Sequence, residues 1–197
     1  MTAVNISKEM LDPSLLIPHE DVSKYRLFEI ISCIKDTSSM YPIIVDKSTY
    51  LILDGHHRYY ASLFLKIRKI PVLLVDYMDS RIKIEKWFRE VKSPELAKKI
   101  SLQLPNDGDV CINIYGANFC STSIYSLFWK LHWLENKLMY LGIKVIKNTK
   151  NGIEPPSISK EYVISVANNG LRFPPKTTRH NYEFIIHYER VRLNEFI

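Results

Sequence analysis

The chain has 197 residues, enough for one domain or two small lobes with a real core. Its 46% hydrophobic content is that of a globular protein, and no run of about 18 uncharged apolar residues offers a membrane span. Lys and Arg number 27 against 21 Asp and Glu, a net charge of +6 that suits anionic ligands without choosing between nucleotides and nucleic acid.

The first residues, Met1 to Lys8, lack the apolar region of a signal peptide, so the cytoplasm is the expected location. Cys33, Cys111 and Cys120 are widely spaced, with no Cys-x-x-Cys pair. The missing pair argues against a zinc site, and the odd count reads as reduced, mostly buried thiols. Abundant Lys, Ile and Tyr beside only 6 Gly lean toward a thermophile composition.

Residues 1–18 form a lead-in, with helix length limited by Pro13 and Pro18. A helix is predicted from Val22 to Lys35, with Glu20 and Asp21 near its start, where acids suit the dipole. Strands follow at Tyr41 to Asp46 and at Tyr50 to Leu53, joined by a polar turn as a hairpin.

Asp54 and Gly55 then break the apolar run, and a helix opens at His56 and runs to about Ile67. Two imidazoles and the Arg58 guanidinium thus crowd a first helical turn, just past a glycine. The unpaired N–H groups there favour an anion, Gly55 lets it approach the backbone, and Arg58 offers a planar fork for phosphate oxygens. Cations at a helix start are unfavourable without an anion among them, a conflict typical of functional sites. The stretch Asp54, Gly55, His56, His57 and Arg58 therefore reads as a phosphate site. The other reading is a tight turn whose side chains face water or acidic neighbours.

Ile70 to Tyr77 is a near-continuous apolar run, hence a buried strand. Arg81 to Val91 is predicted as a helix carrying Trp87, and a lobe boundary is expected at residues 92 and 93, before Pro94. Ile100 to Leu104 and Val110 to Tyr115 alternate as half-buried strands. A long amphipathic helix spans Ile124 to Leu141 and ends at Gly142. Its aromatic stripe (Tyr125, Phe128, Trp129, His132, Trp133) reads as core and lobe interface rather than a base-stacking platform, with His132 a structural histidine. Ile143 to Ile146 and Glu161 to Val166 read as strands around a polar loop holding Pro155 and Pro156. Pro174 and Pro175 stiffen the approach to Lys176, Thr177, Thr178, Arg179 and His180, a set able to hold a phosphoryl group or a carboxylate, or a solvated loop. A last strand is predicted from Tyr182 to Tyr188.

The Asp-Gly-His-His-Arg turn after an Ile/Leu strand resembles the ParB/sulfiredoxin superfamily. Its doubled His is most similar to the free L-serine kinase branch, which includes an ADP-dependent archaeal enzyme. Pro18-His19-Glu20, Trp87 and the run from Phe173 to His180 resemble further motifs of that branch, so the likeness spans residues 15–180. His56 stands where sulfiredoxins carry their nucleophilic Cys, which argues against that chemistry. The resemblance implies an α/β fold with a ParB/sulfiredoxin-like nucleotide lobe at residues 1–92, a mixed α/β lobe at 93–197, and an active site in the cleft between them. It implies phosphoryl transfer from ADP or ATP to L-serine, giving O-phospho-L-serine for serine and cysteine metabolism. Glu20 would be the catalytic base. Asp54, Gly55, His56, His57 and Arg58 would hold the nucleotide phosphates. Trp87 would line the serine pocket, and Thr177, Thr178, Arg179 and His180 would bind substrate and the transferring phosphate from the second lobe. Mg²⁺ would be bridged mainly by the nucleotide phosphates. Composition leans toward ADP. The expected partners are L-serine and a nucleotide, with neither membrane nor nucleic acid. Two other readings stay open: a ParB-like nucleotide-dependent DNA-binding regulator, which would need a helix-turn-helix, and a nucleotide hydrolase without an amino-acid acceptor.

Overall fold

A computed structural model describes residues 6–193. The chain divides into two compact units, each drawn from separate stretches of sequence. Of the described residues, 6–83, 160–175 and 180–193 form the first unit, and 84–159 with 176–179 form the second. This differs from the expected division at residues 92 and 93: residues 84–92 join the second unit, and most of the chain after Ser159 returns to the first. Periodicity reports local structure, whereas this return rests on distant backbone pairing. Phe173 bridges Glu20, and Val191–Arg192 pairs with Ser39–Met40.

The elements in chain order are β1 (Ser7–Leu11), a 3₁₀ turn (Pro13–Leu15), α1 (Lys24–Thr37), β2 (Ser39–Met40), β3 (Ile43–Asp46), β4 (Ile52–Asp54), α2 (His56–Phe64) and β5 (Ile70–Val75). Then come β6 (Ile82–Lys86), β7 (Phe88–Val91), α3 (Pro94–Ser101), β8 (Val110–Ile114), β9 (Ala117–Ser121), α4 (Ile124–Tyr140), β10 (Val145–Asn148), α5 (Lys160–Asn168), β11 (Thr178–Tyr182) and β12 (Val191–Arg192).

In the first unit a four-stranded sheet runs in the order β1-β5-β3-β4. The β3–β4 pair is antiparallel, the predicted hairpin. The β3–β5 pair is parallel, with α2 lying in the connection. Every residue of β5 is buried, as its unbroken apolar run requires. Ile43, Val45, Ile52, Ile70 and Val72 of the sheet pack with Ile31 and Ile34 of α1 and with Tyr59 and Ala61 of α2. Buried Asp46 accepts from the backbone N–H groups of Thr49 and Tyr77, fixing the hairpin turn and the end of β5 together.

In the second unit β7 pairs with β10, and β8 with β9, around a core of Ile114, Phe119, Leu127, Leu131, Leu134 and Leu138. Ser123 and Ser126 form a capping box that starts α4 where the amphipathic pattern begins. Tyr115 and Gly116 both take positive φ, the two-residue turn that closes a tight hairpin. That register sets Cys111 opposite Cys120, and the two form a disulfide, correcting the expectation of reduced thiols. Cys33 is the free cysteine and is half-buried.

Four further expectations are corrected. Residues 81–91 are two strands, not a helix, because they pair with β11 and β10. The helix α3 covers Ile100, and Glu161 to Val166 lies in helix α5. The strand predicted over Tyr182 to Tyr188 is replaced by β11, which ends at Tyr182. In α3 and α5 the buried residues, Ala97 and Ile100, then Val163, Val166 and Ala167, recur at helical spacing. Among the described residues no helix is long and apolar enough to cross a membrane.

Candidate functional site

The glycine turn between a strand and a helix sits where the sequence places it. β4 ends at Asp54, Gly55 takes φ +106°, and α2 opens at His56. The capping position is Gly55, which has no side chain to offer, and no acid lies in the first turn, so the positive end of the helix dipole is not offset there by a carboxylate of the helix itself. Arg58 reaches back to Asp54, with Nη2 2.6 Å from Oδ2. The guanidinium lies over Gly55, where a Cβ would come within 2.8 Å of Nη2 and 3.1 Å of Ile43 Cγ1. The positive φ therefore favours glycine at this position, and an added Cβ would push the Arg58 guanidinium aside.

Beside this turn runs the Pro18-His19-Glu20 segment. Ile17 forms a parallel bridge to Leu51, with Ile17 N–H donating to Tyr50 O and Ile52 N–H to Ile17 O, both at 3.0 Å. Counting three residues on from that bridge along each strand reaches Glu20 and Asp54. The far side of the segment is held by Phe173, whose N–H donates to His19 O, while Asp21 N–H donates to Phe173 O, both at 2.8 Å. Glu20 is thus fixed between two backbone partners and is 8% exposed. It does not belong to the first turn of α1, which begins at Lys24 with Ser23 as its cap. Its expected role as a dipole-matching acid is therefore corrected.

Three imidazoles meet behind the turn. The rings of His19 and His56 are 4.6 Å apart, and those of His19 and His180 are 5.7 Å apart. His56 Nε2 accepts from the His19 backbone N–H at 3.3 Å. His180 Nε2 lies 2.9 Å from the Tyr77 hydroxyl, and the ring also hydrogen-bonds the Leu53 backbone. Burial, His180 and the neighbouring His57, Arg172 and Arg58 push His56 down to about 3. Burial pushes His180 down to about 4 despite the Leu53 hydrogen bond and Asp54. Burial and its two imidazole neighbours likewise lower His19 far below the usual range. The cluster is neutral at pH 7.

The remaining predicted residues lie in the second unit, except His180, which falls in the first. Trp87 Nε1 donates to the Thr178 carbonyl at 3.0 Å. The Arg179 guanidinium stands 5.2 Å from the centre of the Trp87 ring and pairs with Glu85 at 3.2 Å. Thr177 is 2% exposed and borders a pocket shared with Glu85, Lys86, Pro155, Pro156 and Ser157. The sequence thus yields two groups: Glu20 with Asp54 to Arg58 and His180, and Trp87 with Thr177 to Arg179.

Tyr77, Lys160 and Glu85 escaped the sequence reading. Lys160 opens α5, donates to Asp79 O at 2.8 Å and lies over the Tyr77 ring at 5.4 Å. Burial lowers its pKa. A helix there, rather than the strand predicted, would have marked Lys160 as a first-turn cation, the same conflict that flagged Arg58. Among the described residues no three His, Cys, Asp or Glu side chains gather to hold a metal ion. Asp54, the acid at the turn, has one oxygen on Arg58. In the second unit α3 and α4 are separated by the β8–β9 hairpin, not the short turn of a helix-turn-helix.

The family model described as the ParB N-terminal domain matches residues 1–86. A ParB-like protein of Sulfolobus acidocaldarius is 40% identical over 196 residues, covering 96% of this chain and 98% of that protein. An ATP-dependent L-serine kinase of Staphylothermus marinus is 26% identical over 225 residues, covering 92% of this chain and 88% of that one. A solved free serine kinase variant in complex with ADP shares the fold, with a TM-score of 0.81 at 20% identity over 96% of this chain and 94% of that chain.

Proposed function

Because the chain belongs to the ParB-like family and has the fold of the free serine kinases, we propose that it transfers the terminal phosphoryl group of ADP or ATP to the hydroxyl of L-serine. The observation that carries this reading is the pinning of Glu20 beside the phosphate turn. The Ile17–Leu51 bridge and the His19 to His56 hydrogen bond tie the two together.

In this reading the terminal phosphates rest on the N–H groups of His56, His57 and Arg58, where the helix dipole is positive. His56 contributes its backbone, since its Nε2 is committed to His19. Arg58 turns part of its fork from Asp54 to a phosphate oxygen. Glu20 takes the proton from the serine hydroxyl as that oxygen bonds to phosphorus. The bond from phosphorus to its bridging oxygen breaks, leaving AMP from ADP or ADP from ATP. Trp87, Thr177, Thr178 and Arg179 are assigned to serine and the transferring group. His180 braces the turn through Leu53 and Tyr77. Mg²⁺, when bound with the nucleotide, would supply charge neutralisation on the phosphates.

The test incubates the protein with Mg²⁺, L-serine and either ADP or ATP, and reads O-phosphoserine by mass spectrometry. Phosphoserine with AMP or with ADP establishes the kinase and its donor. Nucleotide cleavage without phosphoserine would replace it with a hydrolase. No turnover, with tight salt-sensitive binding to duplex DNA, would favour the regulator.

A further inference from the structure

Arg89 is the largest fully buried side chain of the described protein, 0% exposed in the second unit. Its Nε pairs with Glu135 Oε1 of α4 at 2.7 Å, and Nη1 donates to the carbonyl of Trp87. Its backbone is pinned as well: Arg89 N–H donates to Ile153 O at 3.0 Å, and Ile153 N–H to Arg89 O at 2.8 Å. This double bridge depends on Gly152, at φ +110°, because a Cβ there would lie 2.1 Å from Arg89 O. Glu135, 4% exposed, also takes Lys147 Nζ at 3.0 Å. The Arg89, Lys147 and His132 contacts hold its carboxyl down to about 2 against burial, the largest single influence.

A buried ion pair is a poor way to stabilise a core. Two desolvated charges can usually be replaced by apolar side chains with no loss of stability, whereas removing one partner is costly. What a planar fork fixed at two points can do, and an apolar side chain cannot, is set the position of a third group. Here that group is the Trp87 backbone. Trp87 in turn holds Thr178 through its indole N–H and lies under the Arg179 guanidinium.

We propose that the buried Arg89–Glu135 pair is a positioning device for the Trp87, Thr178 and Arg179 group, setting affinity for the acceptor amino acid. The assignment of that group to serine rests on the kinase reading above.

The experiment compares wild type with the double variant Arg89→Met, Glu135→Leu and with the single variant Arg89→Lys. Three quantities are read: the KM for serine, the Kd for ADP, and the ¹⁵N–¹H resonance of the Trp87 indole, assigned by its loss in Trp87→Phe. The melting temperature of the double variant is read before these three, because Lys147 also loses its Glu135 partner there. Its serine KM should rise about 10-fold, since small displacements of a positioned group carry large kinetic costs. Its Kd for ADP should hold within about twofold, and the indole resonance should shift. Arg89→Lys keeps the charge but loses the fork, and should move the same two readouts. An unchanged serine KM and an unmoved indole resonance in either folded variant overturn the proposal. If the double variant does not fold, Arg89→Lys decides alone. If wild type makes no phosphoserine, the kinase reading fails, while the indole resonance still reports whether the pair positions Trp87.

Discussion

Lowering the pH from 7.5 to 5 should destabilise the first unit by about 4 kcal/mol through His56 and His180 alone. Both are neutral when folded, pushed from 6.5 to about 3 and about 4 by burial and cationic neighbours. Unfolded, each returns to its ordinary value. Above pH 6.5 neither state binds a proton and the stability is fully present. As pH falls, the unfolded chain takes up protons that the folded cluster refuses. At pH 5 each group lies 1.5 units below its unfolded value, worth about 2 kcal/mol at about 1.36 kcal/mol per unit. His19 shifts in the same direction. His56 faces His180, His57, Arg172 and Arg58, and His180 faces Asp54 and Lys160. Nor does Glu135 intrude: its carboxyl is held from 4.5 down to about 2, so its contribution erodes only below that window. Against a total stability of about 5–15 kcal/mol the loss is large. Urea unfolding at pH 7.5, 6.5, 5.5 and 5.0 measures it. Far-UV circular dichroism is the signal, because Trp87, Trp129 and Trp133 all lie in the second unit. With a slope near 2 kcal/mol per molar, the midpoint should fall by about 2 M. His180→Gln should flatten the pH dependence by roughly one proton. A midpoint that moves less than about 0.3 M, or an equally steep dependence in His180→Gln, would refute the neutral cluster.

Three substitutions follow from the site. Glu20→Ala should lower phosphoserine formation at least about 100-fold while isothermal titration with ADP stays near wild type; loss of ADP binding as well would remove the base assignment. Arg58→Ala should weaken ADP binding by about 1.5–3 kcal/mol, the range of a charge-assisted hydrogen bond, and unchanged affinity would take Arg58 out of the phosphate site. Gly55→Ala should cost about 1–2 kcal/mol from its φ alone and also displace Arg58, so both the melting temperature and ADP affinity should drop; an effect on neither would mean the turn relaxes freely.

The strand, glycine turn and helix start around Gly55 were legible because their signal is local. A strand run, a glycine and a helical period lie within about fifteen residues, and each fixes its own neighbour's conformation. The hairpin, α1 and α4 were legible for the same reason. Residues 81–91 were not. Ile82, Ile84, Trp87, Phe88 and Val91 satisfy either a helical or an extended pattern, and pairing with β11 and β10 decides between them. In α5 the β-branched Val163, Ile164 and Val166 suggested a strand, yet packing of one helical face overrode that propensity. The disulfide could have been read from the turn at Tyr115 and Gly116, since a two-residue turn there sets Cys111 against Cys120. The imidazole cluster could not. His19 and His56 are 37 residues apart in sequence, and His180 joins them only through the return of the chain.

That return bears on how the protein is made. Leu16 and Leu193 share one core cluster, both nearly shielded from water, and β2 finds its partner only in Val191–Arg192. A nascent chain that has just released Lys83 from the ribosome therefore holds an incomplete first unit. At about 5–20 residues per second, the residues still to come take roughly 5–20 s to emerge. Most of the second unit, residues 84–159, is contiguous and can fold during that interval. The unit begun first is thus finished last, its apolar faces waiting through synthesis for the tail that closes them.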